Sequence, residues 1–200
     1  MVVCSLRRSA TAVAIGAVIT GLVAGCNING NAVTRVGNGI SDAHPGVYTT
    51  LTNNQALCTF IRRSSTNVFD NSKMLGIVSA TGGGRAFMQV LPSDVVIESQ
   101  NCPTWEPVAA TSYNRDRTRA TPGEYRVGAD LEPGTYSTPQ PAQLCQWFRL
   151  RNWLGVTNPK SSQNSVIAEG GSVTETSVTI KATDIGFQSY GCGTWTRIGP

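Results

Sequence analysis

The chain states one pattern twice. Around Asp42 it reads D-x-x-P-G-x-Y-x-T, with Pro45, Gly46, Tyr48 and Thr50, and around Asp130 it does so again, with Pro133, Gly134, Tyr136 and Thr138. Each copy runs on into L-C-x-[FW]-x-R: Leu57, Cys58, Phe60 and Arg62 in the first, Leu144, Cys145, Trp147 and Arg149 in the second. Each closes on C-x-T-W, at Cys102, Thr104 and Trp105 and at Cys192, Thr194 and Trp195. A unit that recurs with two cysteines per copy constrains the domain count, the pairing of the cysteines and the redox compartment. It does not specify an activity.

Residues 1–25 read as a secretory leader. Arg7 and Arg8 form a short basic start, and Thr11 to Ala24 is an uncharged, apolar run broken only by small residues. That run is too short and too rich in glycine to favour a membrane-spanning helix. It ends in Leu22-Val23-Ala24-Gly25-Cys26, which resembles the bacterial lipobox. The resemblance implies cleavage before Cys26 and a diacylglycerol on its thiol, and acyl chains at roughly 0.8 kcal/mol per buried methylene give lasting attachment. The Asn- and Gly-rich residues 26–41 then read as a flexible tether, having little to bury.

Without the leader, 175 residues remain, with 14 basic and 12 acidic side chains, so no nucleic-acid footprint is visible. Cys4 leaves with the leader and Cys26 carries lipid. Four cysteines allow three pairings, and the repeat selects Cys58–Cys102 with Cys145–Cys192. Each bond closes a loop of about 45 residues, worth roughly 4 kcal/mol by chain entropy. Units of about 70 residues bury little surface and profit from such a bond. A metal site would want short C-x-x-C spacing and a histidine partner; the four cysteines have neither, and the chain implies no cofactor.

The strand signals are short and frequent. Leu57 to Arg62 and Leu144 to Leu150 hold the first cysteine of each copy. Phe87 to Leu91 and Ser177 to Lys181 alternate, with Met88 and Val90 or Val178 and Ile180 facing one way. The Pro-Gly pairs, Gly82-Gly83-Gly84 and Gly170-Gly171 read as turns. The predicted fold is all-β: two tandem repeats over 42–108 and 124–200, joined by a linker over 109–123. Each repeat is expected to be a small sandwich or open barrel with one internal disulfide.

Little in the sequence proposes chemistry. His44, the only histidine, precedes Pro45 in a turn, and its counterpart is Glu132. A catalytic base would need a nucleophile and an orienting partner. The repeated acids, Asp42/Asp130 and Asp94/Asp184, stand singly beside turns, where an Asp side chain accepts turn amides; calcium would require a cluster of them. Gly82-Gly83-Gly84-Arg85 lacks the Lys-Ser/Thr that follows in a phosphate loop. The aromatics beside the cystines, Phe60/Trp147 and Trp105/Trp195, read first as core, packed over the disulfide. The alternative makes Trp147, Trp195, Trp153 and Tyr190 a platform for a protein or glycan, with Trp153 exposed in the loop that also holds Arg151. Arg62 and Arg149 are expected to lie over aromatic faces, with an anion of the ligand as the alternative.

The second copy is the fuller one. Its Tyr125-Arg126-Val127-Gly128, Asp130, Pro133-Gly134-Thr135-Tyr136, Cys145-x-Trp147-x-Arg149 and Gly191-Cys192-Gly193-Thr194-Trp195 resemble a small disulfide-bonded β domain of secreted and lipid-anchored actinobacterial proteins. The resemblance covers nearly all of residues 122–199, and 42–108 more weakly. It implies a cell-envelope setting and no catalytic residue. The first copy departs from it at Cys58-Thr59-Phe60 and Asn101-Cys102-Pro103, so a ligand site in one copy need not exist in the other. The sequence thus points to a non-catalytic protein anchored by lipid at the outer face of the bacterial cell membrane, binding an envelope protein or glycan. Two alternatives stand beside it: a phage or prophage exclusion lipoprotein that masks an envelope receptor, and a secreted hydrolase.

Overall fold

The structure, a computed structural model, describes residues 33–35, 43–52, 57–80, 83–109, 111, 113–139, 144–155 and 165–200. The leader, Cys26, Asp42, Gly82 and most of the expected tether lie outside these residues. Strands of the first half are Val33–Arg35 (β1), Gly46–Leu51 (β2), Cys58–Arg63 (β3), Met74–Ala80 (β4), Arg85–Val90 (β5), Val96–Gln100 (β6) and Glu106–Pro107 (β7). The second half contributes Arg119–Ala120 (β8), Gly123–Arg126 (β9), Gly134–Thr138 (β10), Cys145–Leu150 (β11), Val166–Ser172 (β12), Thr176–Ile180 (β13), Gly186–Tyr190 (β14) and Trp195–Gly199 (β15). A single 3-10 turn, Asn71–Lys73, is the only helical element among the described residues.

Each half is a small antiparallel sandwich. The first packs a sheet of order β1-β6-β3-β4 on one of order β5-β2-β7; the second packs β9-β14-β11-β12 on β13-β10-β15-β8. Matched strand by strand, the two orders agree except that β8 has no counterpart in the first half. The match brings in β1, which pairs Val33 with Glu98 and Arg35 with Val96. The first sheet therefore begins inside the stretch expected to be a tether. The expected linker is likewise built in: β8 pairs Ala120 with Trp195, and Arg126 donates to the Ala109 and Thr111 carbonyls, both at 2.7 Å.

The repeated motifs now have physical meanings. In each Pro-Gly turn the tyrosine hydroxyl donates to the carbonyl four residues back: Tyr48 to His44 at 2.8 Å and Tyr136 to Glu132 at 2.7 Å. His44 thus serves the turn through its backbone. The arginine of the cysteine strand meets the aspartate of the later turn through two bonds. Arg62 Nε and Nη2 donate to Asp94 at 2.8 and 2.6 Å, and Arg149 does the same to Asp184 at 2.7 and 2.9 Å. The same carboxylates accept the turn amides of Leu91 and Lys181, at 2.8 and 2.9 Å. The expectation that Arg62 and Arg149 cover aromatic rings is therefore corrected: a planar guanidinium gains more from two carboxylate bonds than from a ring face.

Both disulfides form as the repeat requires, Cys58–Cys102 and Cys145–Cys192, with Cα–Cα distances of 4.5 and 4.3 Å. Around the first lie Tyr48, Phe60, Met88, Ile97 and Trp105, and around the second Leu131, Tyr136, Ile180, Phe187 and Trp195. Trp105 meets Phe60 edge-on at 5.5 Å, whereas Trp195 meets Phe187 at the same distance. The aromatic partner has moved from the cysteine strand to β14, and Trp147 packs at the border of the core.

Candidate functional site: the cleft between the halves

Strand β11 has two apolar faces. Trp147 packs toward its own core, while Phe148 and Leu150 face the other way, toward the first half. This is why the run Cys145-Gln146-Trp147-Phe148-Arg149-Leu150 does not alternate cleanly in sequence: a strand covered on both sides needs no polar face. The first half answers with Phe87 on β5, which is fully buried although its neighbours Ala86 and Met88 serve the first half's own core. Phe87, Leu150 and Trp153 form a third small core between the halves.

Trp153 is the key of this joint. It was expected to be exposed in a loop; it is 5 % exposed. Its ring stacks on Phe87 at 4.8 Å between centroids, tilted by 31°. On its far side lies Gly186, where a β-carbon would stand 2.2 Å from the indole. A glycine is required here because the ring occupies the space a side chain would fill. The corresponding residue of β6 is Val96, so the first half has no such seat. A second close approach occurs where Gly84 meets the start of β9: a β-carbon on Gly84 would lie 2.3 Å from the Pro122 carbonyl oxygen.

The outer edge of β5 is closed by acceptors from the second half. Its amides point outward at alternate residues. Gln89 donates to the Trp153 carbonyl at 2.9 Å, and Phe87 donates to Glu124 Oε2 at 2.5 Å. A side-chain carboxyl thereby replaces the carbonyl of a missing neighbour strand, which protects an edge that would otherwise pair freely. Arg62 also crosses the joint, donating from Nη1 to the Leu154 carbonyl at 3.1 Å.

Between the halves remains a cleft of about 200 Å³, lined by Ile77, Val78 and Phe87 on one side and by Glu124, Phe148 and Tyr190 among others on the opposite side. Phe148 and Tyr190 stack at 5.6 Å. Glu124 is 3 % exposed, and burial pushes its carboxyl up to about 8, against the smaller, lowering effect of the Phe87 amide. Burial, with the charge of Glu169 behind it, also raises the Tyr190 phenol. A second, more polar hollow of about 250 Å³ adjoins Glu124 on the side of Arg85, Tyr113 and Asp130. There Tyr113 lies between two guanidinium groups, Arg85 at 4.0 Å and Arg126 at 4.7 Å from its ring centre. Burial alone would raise the Asp130 carboxyl, but hydrogen bonds from Arg126 and the Tyr113 amide outweigh it and hold the group low.

The residues expected to form a platform are not brought together on an open surface. Trp195 is fully buried in the second core and Trp153 is buried in the joint, each claimed by ring packing. Trp147 is half-buried, Arg149 is held by Asp184, and Arg151 is exposed and donates to the Val166 carbonyl at 3.2 Å. Only Tyr190 and Trp153 reach the cleft. Glu124, Phe87 and Phe148 were missed. Glu124 stands in a strand between Gly123 and Tyr125 like any surface acid, and its partner lies 37 residues away. The adjacent Trp147-Phe148 pair, which interrupts the alternation of β11, was the one signal available for Phe148.

An all-β pair of small sandwiches, each tied by one cystine, is the architecture of an exported protein, since such bonds persist in oxidising compartments. Comparison narrows this: residues 117–196, the second half from β8 into β15, match the family model of the Rv1352-like extracellular domain. That match includes Arg117 to Thr121, in agreement with the pairing of β8 into the second sandwich. No curated protein and no solved structure is a match.

Proposed function

We propose that this chain is a non-catalytic binding protein of the cell envelope, held at the outer face of the membrane by a lipid on Cys26. Its recognition element is the cleft between the halves, which receives part of an envelope protein or glycan. The observation that carries this is the two-faced β11 sheet. Phe148 and Tyr190 are turned away from their own core, and the first half covers them only in part, leaving an aromatic recess of about 200 Å³. Recesses of mainly apolar lining with a few polar groups are where ligands are held. The match to an extracellular domain, the cystines and the lipobox resemblance support the setting. The recurrent acids support the absence of catalysis, since Asp94 and Asp184 are each taken up by an arginine and a turn amide.

Proximity labelling from the anchored protein in its native cell, with a variant that plugs the cleft, tests this. Ile77 is half-buried on the cleft wall, so Ile77→Trp fills the recess. The expected result is a labelled neighbour that disappears in Ile77→Trp, while both disulfides and the melting temperature persist. Identical labelling by both proteins would remove the cleft from the function. Incorporation of a labelled fatty acid, expected to vanish in Cys26→Ala, tests the anchor.

A further inference from the structure

The charge arrangement of the cleft goes beyond its shape. One cross-strand row runs over its floor, from Glu124 on β9 to Gln188 on β14 and Phe148 on β11. Among the described residues, no lysine or arginine lines the cleft. The guanidinium groups of the adjoining hollow are drawn away from it: Arg85 and Arg126 lie over Tyr113, and Arg126 is bound to Asp130 at 2.7 Å. Glu124 therefore shares the cleft wall with four aromatic rings (Phe87, Phe148, Trp153 and Tyr190), with a backbone amide as its hydrogen-bond partner and, among the described residues, no counter-ion on that wall.

Building on the reading of the cleft as the recognition site, we propose that the group it receives is an ammonium on a short apolar or aromatic stem, with Glu124 as its counter-ion. Ring faces carry negative potential and attract cations, most strongly where water is excluded. A dry cavity of about 150 Å³ accommodates benzene; this one, at about 200 Å³, takes a ring or short chain with a two-carbon arm. Burial keeps the Glu124 carboxyl protonated at neutral pH while the cleft is empty. An arriving ammonium displaces that proton: R-NH3⁺ and the carboxylic acid become an ion pair, and one proton leaves to solvent. Tyr190, whose phenol is raised, remains protonated throughout. A lysine side chain of a protein partner is the source that fits, since its methylenes pack on the ring-lined wall where the hydroxyls of a sugar would not.

Isothermal titration of the full chain with 2-phenylethylammonium at pH 7, in two buffers of different ionisation enthalpy, reads the proton directly. Binding is expected to release close to one proton, and 2-phenylethanol is expected to bind at least about tenfold more weakly. Glu124→Gln keeps an acceptor for the Phe87 amide, so the fold should persist while amine affinity falls by about tenfold or more. Nα-acetyl-lysine methylamide is expected to bind more tightly than glucosamine; glucosamine as the tighter of the two would overturn the lysine source. Amine binding unchanged in Glu124→Gln, an alcohol that binds as well as the amine, or no binding of any amine would overturn the proposal. If the amines fail while Ile77→Trp still abolishes labelling, the cleft keeps its role and only the ammonium chemistry falls.

Discussion

Single residues carry unequal shares of this structure. Gly186 is decisive because its missing side chain is the seat of Trp153. Gly186→Ala should cost about 1–3 kcal/mol, the usual penalty of overpacking, and shift tryptophan emission to the red as the indole is pushed out; denaturant titration followed by fluorescence measures both. Arg62 is fully buried against Asp94. Arg62→Met strands a buried carboxylate and should cost about 3–5 kcal/mol, with part of the loss recovered in the double variant Arg62→Met/Asp94→Asn. At this scale the sequence was informative where a residue's partner is local or recurrent. The turn aspartates and the aromatics over the cystines could be placed in advance. It was silent on Gly186 and Glu124, whose neighbours come from other parts of the chain.

At the scale of elements, the edge of β5 is the most sensitive feature. Glu124 completes it with a buried carboxyl, whose ionisation there is opposed by burial. Its folded value is raised above the unfolded one, so the folded state holds the extra proton and stability is lost as pH rises from about 4.5 to about 8. The amplitude should be on the order of a few kcal/mol, and Glu124→Gln should flatten the curve over that window; urea titrations at several pH values would show it. Asp130 works in the opposite sense. Its carboxyl is held low, so the stability it contributes is present at neutral pH and lost as pH falls through the carboxylate range. Strand positions were legible from alternation at Met88 and Val90 and at Val178 and Ile180, all buried. The covering of β5 was not, because one strand's amides are answered there by a side chain and a loop carbonyl from the other half.

The molecule as a whole is one body and not two beads on a string. A shared core of Phe87, Leu150 and Trp153, the close backbone approach at Gly84 and the Arg62 bond to Leu154 all cross the joint. Calorimetry should therefore show a single cooperative transition. Trp153→Ala should lower its stability by about 3–5 kcal/mol, as for other large aromatic truncations, and separate the unfolding into two transitions. A wild-type protein that already unfolds in two steps would contradict a fixed joint.

From the sequence alone came what depends on local pattern and repetition: an all-β chain in two small sandwich-like halves, one cystine closing each, and turns whose aspartates accept their own amides. Those features follow from residue types and short spacings, which act the same way in any surroundings. Only the tertiary structure decided how the two units meet. It turned Trp153 from a loop residue into a buried hinge-pin, gave β11 two apolar faces and moved Glu124 out of water. A side chain's environment is set by whichever distant segment packs on it, and neither periodicity nor composition encodes that.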